Sequence, residues 1–208
     1  MRGSRTPCWL EKDCLMKGTE AFKEIIPLLT NEPVIHANGF ICRESFNQKD
    51  REGNFYMIGS MGLASSIGLG VAMCRPDQKT IILDGDGNVL MSMGTLAMIA
   101  SAAPKNLLHI VLDNEVYEST GKQRSLSKSI ALDQVAQGAG YPHVKKVTKK
   151  EEIKPAFEEL MGRSGPSFLL IKVEPAFEKS TGRVTHTPEE ITARFMKTLA
   201  ATDGHNPL

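Results

Sequence analysis

The segment Lys79-Thr-Ile-Ile-Leu-Asp-Gly-Asp-Gly-Asn88 decides the fold class of this chain. Residues 79–84 centre on an uninterrupted apolar run, which predicts a β-strand buried on both faces. The nearly all-apolar stretch 88–103 predicts a buried helix, and residues 107–112 repeat the strand pattern. Buried strands that alternate with buried helices indicate a parallel sheet covered by helices.

The same alternation of strands and helices extends over most of the chain. Apolar residues at helical spacing predict further helices, and short apolar or β-branched runs predict further strands. The additional predicted helices are 19–29, 61–74, 132–139, 150–163 and 188–199, and the additional predicted strands are 33–37, 143–147 and 167–173. We therefore predict an α/β fold, a three-layer α/β/α sandwich with a mostly parallel sheet. Ligands of such sheets bind at the carboxyl ends of the strands.

The size and composition of the chain predict one ordinary globular domain. The chain has 208 residues, of which 41% are hydrophobic and 24% charged, and this balance excludes a disordered protein. A net charge of +1 argues against nucleic-acid binding, and no apolar run approaches the roughly 18 residues of a membrane span. Residues 1–15 show no clear period, so we expect an extension there, a domain over 16–200 and a tail at 201–208.

The cysteines predict a reducing environment. Cys8, Cys14, Cys42 and Cys74 form no C-x-x-C pair, which argues against a zinc site or a redox motif. The first residues of the sequence contain no secretory apolar segment. We therefore expect reduced thiols in a cytoplasmic protein.

The segment Gly85-Asp-Gly-Asn88 follows the central predicted strand and opens a predicted helix. Glycines at such a turn let the backbone approach a ligand closely, and unpaired N–H groups at a helix start suit a phosphate. A carboxylate from Asp86 beside a phosphate requires a cation between the two anions, and Mg²⁺ prefers such oxygen ligands. Asn114 follows the next predicted strand, about one strand–helix–strand unit later, so its amide oxygen can complete the metal shell.

Two other interpretations of these glycines arise from the residues alone. Asp-Gly is a common turn dipeptide, so the motif by itself also fits an ordinary turn. A dinucleotide-binding fingerprint would require glycine or alanine three residues after its second glycine. Leu90 and Met73 occupy the corresponding positions after Gly87 and Gly70, which disfavours that interpretation.

The residues around these motifs resemble those of thiamine diphosphate enzymes. Gly85-Asp-Gly87 with Asp113-Asn114 is similar to the diphosphate and magnesium motif of that family, and Gly59-Ser-Met-Gly62 is similar to its ring-binding segment. Three segments resemble the branch of sulfopyruvate and phosphonopyruvate decarboxylases, namely 54–66, 103–106 and 113–121. The resemblance extends from about residue 16 to residue 199 and implies the thiamine diphosphate-binding fold.

The resemblance implies which residues hold Mg²⁺ and the cofactor. Asp86 and Asn114 would bind the metal through their side chains, and Val116 would bind it through its backbone carbonyl. Met61 would support the bend between the two cofactor rings, and the Gly59 carbonyl would accept a hydrogen bond from the 4′-amino group. The complete set of expected cofactor-binding residues is Gly39, Gly59, Ser60, Met61, Gly85, Asp86, Gly87, Asn88, Asn114, Val116 and Tyr117.

The resemblance also implies a partner. In this family a glutamate from a separate pyrimidine-binding domain activates the cofactor, and this chain has room only for the diphosphate-binding domain. We therefore expect no catalytic residue in this chain, an α-type partner subunit that supplies the glutamate, and self-association when the partner is absent. The implied activity is that of a thiamine diphosphate- and Mg²⁺-dependent carboxy-lyase acting on a small anionic 2-oxo acid, sulfopyruvate or phosphonopyruvate.

Arg43 or Lys122 is expected to contact the sulfonate or phosphonate of the substrate, because such groups bind a fixed cation. The branch carries Gly-Gly-Gln where this chain has Gly121-Lys-Gln123, so we expect the loop to avoid the positive φ that glycine adopts there. Two alternative functions stay open at this point. One is a non-catalytic or regulatory protein that binds thiamine diphosphate, and the other is a C-terminal fragment of a single-chain phosphonopyruvate decarboxylase.

Overall fold

The computed structural model describes residues 15–175 and 181–201. Leu15 is the only described residue of the expected extension 1–15, and Ala201 is the only described residue of the expected tail 201–208. The remainder of both segments lies outside the described residues, so both expectations stay predictions.

Helices and strands alternate along the described residues as the apolar pattern predicts. The α-helices are α1 (Gly18–Ile25), α2 (Phe40–Gln48), α3 (Ala64–Cys74), α4 (Asp86–Met91), α5 (Gly94–Ala102), α6 (Leu132–Ala139), α7 (Lys150–Met161) and α8 (Pro188–Ala201). The strands are β1 (Val34–His36), β2 (Asn54–Tyr56), β3 (Thr80–Gly85), β4 (Leu107–Asp113), β5 (Val116–Tyr117), β6 (Gln123–Arg124), β7 (His143–Val147) and β8 (Ser167–Lys172). Two 3₁₀ turns, Ile26–Leu28 and Leu126–Lys128, complete the elements.

Six strands form one sheet in the order β2-β1-β3-β4-β8-β7, and every neighbouring pair is parallel. The strands β5 and β6 form a separate antiparallel hairpin. On one side of the sheet, α5 contacts both α3 and α6. On the other side, α1 contacts both α2 and α7. This arrangement confirms the predicted three-layer α/β/α sandwich.

Small residues in α3 let this helix approach the sheet closely. A Cβ atom at Gly68 would lie 2.3 Å from Cγ1 of Ile82 on β3, so only glycine fits at this contact. The close approach places the loop that precedes α3 beside the carboxyl end of β3. None of the helices in the described part of the chain combines the length and apolar character needed to cross a bilayer.

Several element boundaries differ from the predictions. The predicted helix 88–103 is two helices, α4 and α5, because Ser92 leaves the helical region with φ −138° and ψ 45°. Helix α3 begins at Ala64 rather than at residue 61, because Ser60 and Gly62 adopt positive φ in the preceding turn. The polar sequence of α2 hid that helix from a search for apolar periodicity, and the strands of the hairpin are too short to show one.

Candidate functional site

An open cleft lies at the carboxyl ends of β3 and β4, where a parallel sheet is expected to bind its ligands. It lies between the start of α4, the hairpin β5–β6 and the loop before α2. The residues that line it are Asn38, Phe40, Ile41, Met61, Gly85, Asp86, Gly87, Asn88, Leu112, Asn114, Val116, Tyr117, Glu118, Ser119 and Val173. The structure therefore brings together most of the site residues predicted from the sequence.

Asp86 is the first residue of α4 and is buried at the base of the cleft. The hydroxyl of Ser125 donates a hydrogen bond to its Oδ2 atom, and the hydroxyl of Ser127 lies 3.0 Å from the same atom. Burial raises the pKa of Asp86 to about 6, and the nearby Asp113 carboxylate adds to this increase against the hydroxyl hydrogen bonds. Because burial and the Asp113 charge disfavour the ionised form of Asp86, a bound cation would stabilise its carboxylate.

Asp113, a neighbour of Asp86, forms an ion pair with Lys172. Its Oδ2 atom accepts a hydrogen bond from Nζ of Lys172 at 2.9 Å, and the same ammonium contacts Oε1 of Glu115 at 2.8 Å. Burial lowers the pKa of Lys172, but the two carboxylates outweigh it, so the pKa is raised and the lysine stays charged. Within the described residues, no lysine, arginine or histidine forms an ion pair with Asp86, and the largest causes of its pKa shift include no cation.

Asn114 follows β4 and is turned into the cleft. Its Oδ1 atom accepts a hydrogen bond from the N–H of Val116 at 3.1 Å, and its amide donates to Oε2 of Glu118 at 2.8 Å. These bonds hold the amide in one orientation, with a second lone pair of Oδ1 still able to accept or to coordinate. Asp86, Asn114 and Val116 thus line one cleft, although their role as metal ligands stays a prediction.

Gly87 lies where the backbone passes close to two side chains. A Cβ atom at this position would be 2.6 Å from Cε1 of Tyr117 and 3.0 Å from Cε of Met61. Glycine is therefore required for this contact, independently of any ligand. Met61 and Tyr117 both line the cleft, and their role as cofactor-binding residues stays a prediction.

Asn88 connects two loops around the cleft rather than leaving its side chain free for a ligand. Its Oδ1 atom accepts a hydrogen bond from the N–H of Gly62 at 2.6 Å, and its amide donates to Asn38 at 3.1 Å. Its predicted contact with a diphosphate would have to come from the backbone. Gly39 lies beside Asn38 with φ +84°, and its α-carbon faces the side chain of Ser119.

Gly59 and Ser60 do not line the cleft. They lie in a neighbouring, mostly apolar groove between β2, α3 and α8. Met61 therefore lies at the boundary between this groove and the cleft. The groove residues are Phe55, Tyr56, Met57, Ile58, Gly59, Ser60, Leu63, Ile67, Pro188, Ile191 and Thr192.

The structure does not bring Arg43 or Lys122 into the lining of the cleft. The Arg43 guanidinium lies 5.2 Å from the ring centroid of Phe40, and Nζ of Lys122 is exposed, 3.9 Å from a carboxylate oxygen of Glu118. The expectation that Lys122 would avoid positive φ is wrong, because its φ is +56°. Its N–H closes the hairpin turn onto the carbonyl of Tyr117 at 3.0 Å, which offsets the roughly 1–2 kcal/mol that this conformation costs.

Sequence reasoning missed Ser125, Ser127 and Lys172 as residues of the site. Their hydroxyl and ammonium groups belong to segments far from Asp86 in sequence, and a serine in a polar stretch carries no signal that marks it as buried. His36 at the end of β1 and His109 inside β4 are fully buried and do not line the cleft. Burial lowers the pKa of His36 to about 3, so its imidazole is neutral.

The donor set of the cleft fits a Mg²⁺ ion bound to a diphosphate. In the described residues no group of three or more His, Cys, Asp or Glu side chains is placed to hold a metal. A cation beside Asp86 would therefore depend on amide, carbonyl and phosphate oxygens, which are the ligands that Mg²⁺ takes in nucleotide-type sites. Asp86 and Asn114 would hold the metal, and the space beside the α-carbon of Gly87 is occupied by Tyr117 and Met61.

Comparison with known proteins gives a consistent family assignment. Residues 43–171 match the family described as thiamine pyrophosphate enzyme, C-terminal TPP binding domain. The chain is 38% identical to the sulfopyruvate decarboxylase subunit beta of Methanococcus maripaludis over 86% of this chain and 96% of that subunit. It is 40% identical to a phosphonopyruvate decarboxylase of Streptomyces viridochromogenes over 78% of this chain but only 41% of that protein. The chain thus spans less than half the length of this second relative.

A solved structure shows the same fold at lower identity. The crystal structure of benzoylformate decarboxylase from Polynucleobacter necessarius superposes with a TM-score of 0.66 and 14% identity, over 86% of this chain and 36% of that one. Similarity at this level concerns the fold alone. Together with the family match over residues 43–171, it shows that this chain belongs to the thiamine pyrophosphate enzymes and comprises their C-terminal TPP-binding domain.

Proposed function

We propose that this chain is the thiamine diphosphate- and Mg²⁺-binding subunit of a 2-oxo acid decarboxylase that acts on sulfopyruvate or phosphonopyruvate. The observation that carries the proposal is the cleft in which Asp86, Asn114 and Val116 converge after β3 and β4. The match over 96% of a sulfopyruvate decarboxylase subunit beta supports a chain that works as a separate subunit. The activity would require a partner that carries the pyrimidine-binding domain.

The residues of this chain would anchor and orient the cofactor. Asp86 and Asn114 would hold the cation, with the Val116 carbonyl as a further oxygen ligand. Met61 and Tyr117 would present apolar and aromatic surface at the cleft mouth. When bound, thiamine diphosphate supplies the electron sink that decarboxylation requires.

The activating glutamate is expected from the partner, because the acidic groups of the cleft are otherwise engaged. Asp86 accepts the serine hydroxyls, and Glu118 accepts a hydrogen bond from the Asn114 amide beside the proposed metal ligands. Among the described residues, these two are the only carboxylates that line the cleft. Neither of them lines the groove that contains Gly59.

The surface beside the cleft supports a partner as well. Helices α3 and α5 pack against each other, and their exposed residues include no charged side chain. Ile58 and Leu63 nearby are 64% and 45% exposed, and Met91 is 60% exposed. The exposed residues of the two helices are Gly70, Met73, Cys74, Gly94, Ala97, Met98, Ser101 and Ala102. A surface of this composition favours burial against another protein.

The proposal is tested by co-expressing the chain with the product of a neighbouring gene of similar size. The purified complex is assayed for CO₂ release from sulfopyruvate and phosphonopyruvate, with and without Mg²⁺ and thiamine diphosphate. We expect turnover of at least one substrate that requires both cofactors. Cofactor binding without turnover of either substrate would instead support a regulatory role for the chain.

A second candidate function follows from the match to 41% of the Streptomyces phosphonopyruvate decarboxylase. In that case the chain would be the C-terminal part of a longer polypeptide that contains both domains. Immunoblotting of the native source distinguishes the two cases. A separate subunit gives a band near the 22.8 kDa of this chain. A single-chain decarboxylase gives a band of about twice that mass, as expected for an added domain of similar size.

Met61→Ala is expected to reduce turnover more than it weakens cofactor binding. The truncation removes the side chain at the boundary between the cleft and the groove but leaves the region around Asp86 intact. We therefore expect the conformation of the bound cofactor to change more than its affinity. We expect kcat of the active complex to fall by about tenfold or more, with a change in cofactor affinity below about threefold. The exposed Met196→Ala variant on α8 is the control. Equal kcat in Met61→Ala and Met196→Ala would show that Met61 only packs.

A further inference from the structure

We propose that Ser125 and Ser127 are positioning residues that hold the Asp86 carboxylate in its metal-binding orientation. This inference rests on the proposed function, because it assumes that Asp86 binds a divalent cation. Both serines lie on the segment that follows the hairpin β5–β6, at and within the 3₁₀ turn Leu126–Lys128. Neither residue contacts a cofactor in this proposal, and both act through Asp86.

The geometry around Asp86 is specific to one of its two oxygens. Ser125 Oγ donates to Oδ2 of Asp86, and Ser127 Oγ lies 3.0 Å from the same Oδ2 atom. No hydroxyl contact with Oδ1 is present among the described residues. Two contacts to a single carboxylate oxygen restrict rotation of the carboxyl group, so its other oxygen keeps one direction.

The two hydroxyls do not have equal roles. Ser127 Oγ also donates to Oδ1 of Asp113 at 2.7 Å, which is shorter than its contact with Asp86. A serine hydroxyl carries one proton, so Ser127 can donate to only one carboxylate at a time. Ser125 Oγ also lies 2.8 Å from Ser127 Oγ, and either atom can be the donor of that contact. When Ser127 donates to Asp113, Ser125 is the remaining hydroxyl donor to Asp86, and Ser127 connects Asp86 to the Asp113–Lys172 pair.

The 3₁₀ turn itself contributes little apolar burial. Leu126, between the two serines, is 62% exposed, while both serines are buried. Ser125 Oγ also accepts the N–H of Ser127 at 3.4 Å, a weak local contact that starts the turn. The principal buried contacts of this turn thus point at Asp86 and Asp113 rather than at the hydrophobic core.

The network also explains how two carboxylates share one environment. Asp113 is neutralised by Lys172 at 2.9 Å, whereas no described cation offsets Asp86. Ser127 lies between the two acids and separates them with a hydroxyl. A backbone hydrogen bond from Gly87 also reaches the Asp86 carboxylate. A divalent cation on Oδ1 of Asp86 would offset the charge of this carboxylate, and the serine contacts to Oδ2 would keep Oδ1 directed towards it.

The test uses the full 208-residue chain and two size-matched substitutions at one position. Ser125→Thr keeps the hydroxyl and adds one methyl group, and Ser125→Val has the shape of threonine but carries a second methyl group in place of the hydroxyl. Calorimetry measures thiamine diphosphate binding over a Mg²⁺ titration and reports the half-saturating Mg²⁺ concentration. Thermal unfolding of the cofactor-free chain provides a second readout that does not depend on activity.

We expect Ser125→Val to raise the half-saturating Mg²⁺ concentration about tenfold, as for loss of a hydrogen bond to a charged group. Ser125→Thr should stay within about twofold of the wild type, and Ser127→Ala should show an intermediate increase of about threefold. The exposed Ser129→Ala, from the same segment, is the control and should not change it. If Ser125→Val does not fold, the Ser127→Ala and Ser129→Ala pair carries the same comparison.

Three outcomes would overturn the inference. Equal Mg²⁺ dependence of Ser125→Thr and Ser125→Val would show that the hydroxyl does not orient Asp86. A lowered unfolding temperature with unchanged Mg²⁺ dependence would show that the serines only stabilise the turn. Absence of Mg²⁺-dependent binding both in the wild-type chain and in its complex with the partner would overturn the proposed function together with this inference, whereas the first two outcomes leave that function intact.

Discussion

Asp86→Ala is expected to abolish Mg²⁺-dependent binding of thiamine diphosphate, with an affinity loss of at least about 100-fold. Removal of a residue that merely supports a metal ligand costs about 10–100-fold, and Asp86 is the proposed ligand itself. The substitution should not unfold the chain. In the absence of metal the buried carboxylate disfavours the folded state, since burial raises its pKa to about 6.

The pH dependence of stability provides an independent check on this assignment. Because the folded pKa of Asp86 lies above its ordinary value, its contribution to stability is fully present below about pH 4 and is lost as the pH rises through about 6. Asp86→Asn has nearly the same shape but no charge. We expect this variant to be at least as stable as the wild type at pH 7, and to lack that part of the pH dependence.

Calorimetric titrations with thiamine diphosphate, with and without Mg²⁺, measure the binding effect of both Asp86 variants. Chemical or thermal unfolding of the metal-free proteins between pH 4 and pH 7 measures the stability effect. Unchanged Mg²⁺-dependent affinity in Asp86→Ala would remove Asp86 from the metal site. A marked destabilisation of Asp86→Asn at pH 7 would show that the carboxylate is structural.

The second large effect concerns the isolated chain, which we expect to release no CO₂ from any 2-oxo acid. The chain alone would leave the cofactor rings exposed on the side of the apolar groove, and both carboxylates of the described residues that line the cleft already accept hydrogen bonds. Water exclusion and cofactor activation both require protein on that side. The complex with the partner should restore turnover from an undetectable level.

The uncharged exposed surface of α3 and α5 predicts that the isolated chain associates with itself. The uncharged faces of α3 and α5, with the exposed Leu63 and Met91 nearby, should pair with the same faces of a second copy in a symmetric contact. Sedimentation and light scattering report the oligomeric state with and without the partner. As a matched test, Met98→Glu should weaken self-association, whereas Met196→Glu on α8 should not.

Steady turnover by the highly purified single chain would contradict this prediction, because it would require an activating acid within the chain. A monodisperse monomer at high concentration would contradict the predicted self-association. The two predictions are connected by mixing the partner with the wild-type chain or with the Asp86→Ala chain. Turnover in the first mixture but not in the second would show that both predictions depend on one cofactor site.

Local patterns in the sequence are sufficient to predict the fold class and the proximity of Asp86 and Asn114. Apolar runs such as 107–112 identify strands buried on both faces, and their alternation with helices leaves a parallel sheet as the consistent arrangement. The position of Asp86 after β3 and of Asn114 after β4 predicts their proximity, because neighbouring parallel strands end at the same edge. These inferences succeed because they depend on local periodicity and on one strand–helix–strand connection.

Breaks within apolar segments could not be predicted in the same way. Residues 88–103 are apolar on all sides, so no periodicity marks the point where α4 ends at Met91 and α5 begins at Gly94. The positive φ of Lys122 follows from closure of a hairpin turn, which outweighs the local preference of a lysine. Packing decides the break between α4 and α5, and turn closure decides the conformation of Lys122, so neither follows from the local sequence.

Only the tertiary structure decided how the site is supported. Ser125 reaches Asp86 across 39 residues of sequence, and Lys172 reaches Asp113 across 59. Neither side chain differs in sequence from a solvent-exposed serine or lysine, because their burial is created by loops and strands that fold over them. Hydrogen-bond partners at such separations depend on the three-dimensional path of the chain, and so the orientation of the Asp86 carboxylate is a property of the fold.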